Sequence, residues 1–112
     1  MKYVYVCSPL RGNIEGNMEK AKGYCRDIIK KYPDVIPFAP HIYCTQFLDD
    51  TVTEERKKGI QIGNEILKTW CDELWVFGVR SLQDASSGMQ AEIAMARDLG
   101  IPIRMGQDML EK

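Results

Sequence analysis

Glu92 lies one turn into a helical segment that opens Ser86-Ser87-Gly88-Met89-Gln90-Ala91-Glu92. At about 100° per residue, Glu92 falls inside the apolar stripe of Met89, Ile93, Ala96, Leu99 and Gly100, while Gln90, Arg97 and Asp98 take the other side. A carboxylate on a buried face is costly unless it is paired, protonated or turned into a cavity. It is therefore a reactive group in a pocket, the partner of a buried arginine, or a residue at the edge of the stripe. Its place one turn into a helix at a sheet's ligand-binding rim favours the first.

Other residues on the same rim could do chemistry. Ser86, Ser87 and Gly88 set hydroxyls and free backbone N–H groups at a helix N-terminus, which either caps the helix or holds a phosphate or carboxylate. Arg11 is a bidentate donor suited to phosphate, and Gly12 beside it permits close backbone approach; the alternative is a solvated surface arginine. His41, the one histidine, follows Pro40 and has no metal-ligand partners in the sequence. Asp49 and Asp50 are either a general acid pair or a turn and cap before the next helix, and the turn is favoured for at least one of them.

The elements that must position these residues alternate. Lys2 to Cys7 is a buried strand ending in a breaker-rich loop, Ser8 to Asn13. Ile14 to Tyr32 is helical, with Met18, Ala21, Tyr24, Cys25, Ile28 and Ile29 on one face, and Pro33 stops it. Val35 to Phe38 is a second strand, and His41 to Asp50 a connection. A helix capped at Thr51 or Thr53 runs to about Trp70 and buries Gly63, Ile66, Leu67 and Trp70. Asp72 to Gly78 is a third strand, Val79 to Ser87 a loop, Gly88 to Leu99 a helix and Ile101 to Met105 a fourth strand. Gly106 to Lys112 reads as a polar tail that frays. The order β-α-β-α-β-α-β predicts one domain over residues 1–112: a three-layer, flavodoxin- or Rossmann-like α/β fold. Its sheet has about four parallel strands, in the order 2-1-3-4, with helices on both faces. The strand C-terminal loops then share one rim, where ligands of open α/β sheets bind.

Bulk properties narrow the function. With 15 basic against 16 acidic residues in 112, the net charge is −1, which argues against binding to polymeric nucleic acid. Four cysteines without a Cys-x-x-Cys pair argue against structural zinc and for reduced thiols. Met1-Lys2 leads straight into a strand, so no signal peptide is expected, and no run has the length of a membrane span. A cytoplasmic location is the expectation.

Three runs carry a resemblance. Tyr5-Val6-Cys7-Ser8-Pro9-Leu10-Arg11-Gly12, the spacing Ser86-x-Gly88-x-x-x-Glu92, and Asp72-Glu73-Leu74-Trp75-Val76-Phe77 resemble the nucleoside 2-deoxyribosyltransferase superfamily, especially its 2'-deoxynucleoside 5'-phosphate N-hydrolase branch. By overall pattern the chain is most similar to short bacterial and phage members of unassigned function.

The resemblance implies N-glycosidic cleavage or deoxyribosyl transfer on a nucleoside 5'-monophosphate or related nucleotide, with retention. Glu92 would attack C1' to give a covalent glycosyl-enzyme, and Tyr5 would orient it. Ser86 and Arg11, with the helix N-terminus, would hold the phosphate; Ser8, Pro9, Gly12, His41, Ser87 and Gly88 would complete the binding site. No cofactor or metal is implied, and a homodimer or larger homo-oligomer is. Asn64 stands where the family has an aspartate that helps protonate the leaving base, which leaves Asp49 or Asp50 as substitutes. Pro9 replaces a phosphate-binding serine, with Ser8 adjacent. The family's last strand and helix, which carry a serine reaching a neighbouring subunit, have no counterpart in the sequence. A second reading is a non-catalytic module that binds or sequesters a nucleotide-derived ligand. A third is a structural domain with Glu92 paired in its core.

Overall fold

The computed structural model describes residues 1–111. Four strands, β1 (Lys2–Cys7), β2 (Val35–Phe38), β3 (Glu73–Val76) and β4 (Ile103–Met105), form one sheet in the order β2-β1-β3-β4. Every pairing is parallel. The helices are α1 (Ile14–Lys31), α2 (Pro40–Cys44), α3 (Thr53–Trp70), α4 (Ser87–Asp98) and α5 (Gly106–Glu111), with a 3-10 turn at Leu82–Asp84.

Alternation along the strands divides the core in two. Tyr5, Cys7, Leu74 and Val76 face Leu67 of α3 and Met89, Ile93 and Ala96 of α4. Val4, Val6, Trp75 and Phe77 face Ile28 of α1, with Met109 and Leu110 of α5 packed against that side. Both sheet faces are thus covered, which is why β1 and β3 read as nearly continuous apolar runs. The one charged residue buried within the strands, Glu73, accepts hydrogen bonds from Lys2 Nζ at 2.8 Å and Trp75 Nε1 at 2.9 Å. Burial alone would raise its carboxyl; Lys2, Trp75 and Arg104 together hold it below the usual range.

Several local expectations need correction. The segment from Gly106 does not fray: Gly106–Glu111 is a helix, because Met109 and Leu110 have a sheet face to cover and Tyr32 Oη donates to the Met109 carbonyl at 2.7 Å. Lys112 lies outside the described residues. A short helix, α2, begins within the connection after β2, started by Pro40 at its first position. The N-cap of α3 is Val52, and neither Thr51 nor Thr53 supplies a side-chain cap. Trp70 is 57% exposed, and Ile29 and Leu99 are exposed as well. Trp70 and Leu99 sit at helix ends, where the apolar stripe has run out of sheet to cover. Strands β3 and β4 are shorter than their apolar runs; Asp72 is spent on the ladder edge, its carboxylate accepting from Tyr3 N at 2.8 Å.

Candidate active site

In the order β2-β1-β3-β4 the chain leaves β1 toward α1 on one face and β3 toward α4 on the other. That is a topological switch point, and a crevice opens beyond the strand ends there. A cleft of about 230 Å³ occupies it. This lies below the roughly 300–1,000 Å³ typical of small-molecule sites. Its walls come from the β1–α1 loop (Ser8 to Arg11), α2, the first three turns of α3, and the start of α4.

At the cleft floor Glu92 meets β1. Tyr5 Oη donates a hydrogen bond to Glu92 Oε2, and Cys7 Sγ lies 3.4 Å from Oε1. Burial raises the Glu92 carboxyl from 4.5 to about 7, against the opposing pull of these two donors. Tyr5, 2% exposed, is pushed well above its ordinary value by burial and by the adjacent carboxylate, so it stays a phenol and a donor. Burial and Glu92 likewise keep Cys7 a thiol. No arginine pairs with Glu92 among the described residues; its partners are the Tyr5 phenol and the Cys7 thiol.

Room for the Tyr5 hydroxyl comes from α3. A Cβ on Gly63 would stand 2.9 Å from Tyr5 Oη, closer than real contacts allow. Asn64 follows in the cleft wall, with Ile60, Gly59 and Arg56 above it at helical spacing.

The rim is polar. Ser86 is the N-cap of α4 and accepts from Met89 N at 3.3 Å, while Ser86, Ser87 and Gly88 all border the cleft. Capping and facing a ligand are therefore both available to this turn. Asn17 Nδ2 donates to the carbonyls of Leu10, at 3.0 Å, and Arg11, at 3.3 Å, which pins the loop carrying Arg11. Gly12 turns that loop with φ +94° and does not itself line the cleft. Pro9 does line it and packs where a Cβ on Gly78 would fall, 2.8 Å from Pro9 Cδ. Ser8 Oγ lies 3.4 Å from His41 Nε2, and burial lowers the His41 pKa, so that histidine is neutral at pH 7.

The two aspartates part company. Asp49 is exposed and outside the cleft; its carboxylate accepts from Thr51 N at 2.9 Å and Thr51 Oγ1 at 2.6 Å, which holds it below its ordinary value. These bonds are those of an Asx turn. Asp50 lines the cleft, with Oδ2 3.5 Å from Arg11 Nε and enclosed without a hydrogen bond.

The structure thus gathers Tyr5, Ser8, Pro9, Arg11, His41, Asp50, Asn64, Ser86, Ser87, Gly88 and Glu92 around one cleft and leaves out Gly12 and Asp49. Sequence reasoning missed Cys7, Arg56 and the role of Gly63. The period of two from Tyr5 would have put Cys7 on the same face. The 3.6 period back from Asn64 would have reached Ile60 and Arg56; Gly63 is off that line, and only its closeness to Tyr5 Oη shows its role.

A family model described as a domain of unknown function, DUF7768, matches residues 2–106 of the chain. No curated protein matches it.

Proposed function

The chain belongs to the DUF7768 family, and we propose that it cleaves or transfers the N-glycosidic bond of a nucleoside 5'-monophosphate or a related nucleotide, with Glu92 as nucleophile. This follows the resemblance of its motifs to the nucleoside 2-deoxyribosyltransferase superfamily. The observation that carries the reading is a carboxylate with no cationic partner among the described residues, lining a cleft, hydrogen-bonded by Tyr5 and Cys7 and sharing that cleft with the first residues of α4.

In the first half-reaction a Glu92 oxygen forms a bond to C1' as the C1'–N bond breaks. The electron pair leaves on the base nitrogen, which takes a proton from water. In the second half, the hydroxide that remains adds to C1' and releases Glu92 as carboxylate, or a ring nitrogen of a second base forms the bond to C1', releases Glu92 and gives its N–H proton to that hydroxide. Tyr5 keeps its proton and fixes the carboxylate. The N–H groups and hydroxyls of Ser86, Ser87 and Gly88, with Arg11, hold the 5'-phosphate. Asn64 and Asp50 face the base, and Ser8, Pro9 and His41 close the wall. No cofactor enters these steps.

A second reading, a module that binds a nucleotide-derived ligand without turnover, is favoured by Asn64, an amide where a proton donor would serve. One experiment separates the two. Purified protein is incubated with a panel of ribo- and deoxynucleotides, free base is assayed, and bound nucleotide is measured by calorimetry. The enzyme reading requires base release that is lost in Glu92→Ala; binding without release selects the second; release that persists in Glu92→Ala removes Glu92 from the mechanism.

We place the protein in the cytoplasm, in keeping with four free cysteines and with no helix among the described residues long and apolar enough to cross a membrane. We also propose a homodimer. Tyr43, Phe47 and Ile60 stand exposed at or beside cleft-lining positions, an apolar edge that a second copy would cover. Gel filtration at micromolar concentration is expected to give twice the monomer mass, and a monomer would remove the proposal.

A further inference from the structure

Both oxygens of the Glu92 carboxylate are held, and by donors of unequal strength. Oε2 receives the phenol of Tyr5, whereas Oε1 faces the thiol of Cys7 at 3.4 Å. Tyr5 and Cys7 are two residues apart on β1, so the strand presents both donors to the same face. Cys7 is fully buried, and the next acceptor near its sulfur, the Met89 carbonyl, is farther away at 3.9 Å. A cysteine that only filled this space would need no polar partner.

We infer that Cys7 is a positioning residue for Glu92: its thiol sets the rotation of the carboxylate through a weak hydrogen bond and leaves Oε1 as the attacking oxygen. The inference rests on the nucleophile reading above. A phenol O–H is a stronger donor than an S–H, so Oε2 loses more of its electron density than Oε1 does. In the glycosylation step an Oε1 lone pair forms the bond to C1', and the C1'–N pair departs with the base. Oε2 becomes the ester carbonyl, still hydrogen-bonded to Tyr5, and Cys7 keeps its proton throughout. A hydroxyl in place of the thiol would bind Oε1 more tightly and blunt it. An alanine would leave that oxygen free to turn. Arg11, His41, Cys44, Asp50, Glu55 and Arg56 are the other titratable or charged cleft residues, and among the described residues none of them hydrogen-bonds to Glu92.

The test compares Cys7→Ser and Cys7→Ala with wild type. Each protein, labelled with 13C at the glutamate side-chain carboxyls, is titrated without ligand by NMR, with Glu92→Gln assigning the Glu92 signal. The Glu92 midpoint is expected to fall in Cys7→Ser and rise in Cys7→Ala. In base-release assays kcat drops by roughly 3-fold or more in both, with KM changed less and the acid limb following the midpoint. Cys7→Ser is nearly isosteric, and a thermal melt verifies that it folds. A Glu92 midpoint and kcat unchanged in folded Cys7→Ser overturn the inference while leaving Glu92 as nucleophile. Absence of base release from every nucleotide by wild type overturns the nucleophile reading and the attacking-oxygen assignment with it; the titration still decides the contact.

Discussion

Glu92 has a buried carboxyl, and that burial has a sign that can be measured. Its carboxyl titrates near 7 in the folded chain against an ordinary 4.5, so the native state binds a proton more tightly than the unfolded state does. Between those values the native state holds more protons, and stability falls as pH rises through the window, by about 3 kcal/mol in all, then levels off above it. Denaturant melts at pH 5 and pH 8.5 are expected to show this loss in wild type and a much smaller one in Glu92→Gln. Equal slopes in the two proteins would mean that Glu92 is solvated. The same group must be ionised to attack, so kcat/KM is expected to rise with pH through about 7. Glu92 was legible in the sequence because it breaks a pattern, a charge in an apolar stripe. Its neighbour Cys7 was not, because a cysteine on a buried strand fits the pattern. Asp49 and Asp50 could not be told apart from order alone, since only the turn geometry decides which one folds back on Thr51.

The element that decides the geometry of the floor is α3. Gly63 lets the helix pass close to the Tyr5 hydroxyl, and an alanine there would put its Cβ 2.9 Å from Oη. Gly63→Ala gains helix propensity of up to ~1 kcal/mol, yet it must displace the buried ring of Tyr5 or the helix, at a typical overpacking cost of 1–3 kcal/mol. It is therefore expected to lower kcat by roughly 10-fold or more, because small displacements of positioning groups are costly to catalysis, while its melt changes modestly. A Gly63→Ala protein with wild-type turnover would mean that Tyr5 does not orient Glu92. Element types and order were readable from periodicity. Their ends were less so: α3 starts after Val52 without a side-chain cap, and α2 arises where a proline starts a turn inside a connection. The first has no local capping signal to read, and the second has only the proline.

For the molecule as a whole, the all-parallel sheet in the order β2-β1-β3-β4 agrees with the strand–helix alternation of the sequence. The final helix was hidden, because its few apolar residues, Met109 and Leu110, gain their meaning from the face of Trp75 and Phe77 they cover. Gly106 begins that helix against the Phe77 ring, where a Cβ would come within 2.3 Å. Phe77 cannot yield easily, since it is buried and stacked on Tyr24 with ring centroids 4.5 Å apart. Gly106→Ala is expected to destabilise the protein by about 1–3 kcal/mol in denaturant melts. Remaining folded protein should turn over normally, because Gly106 is not part of the cleft. An unchanged melt would mean that α5 is not docked as described.

Attack by Glu92 leaves a covalent bond from the sugar to its carboxylate, and that bond can be trapped. Protein mixed with a panel of nucleoside 5'-monophosphates is quenched in acid within a turnover and analysed by intact mass and peptide mapping. An added sugar-phosphate mass is expected on the peptide containing Glu92, absent in Glu92→Gln. Base released at full rate by Glu92→Gln, or an adduct mapped to another residue, would contradict attack by Glu92.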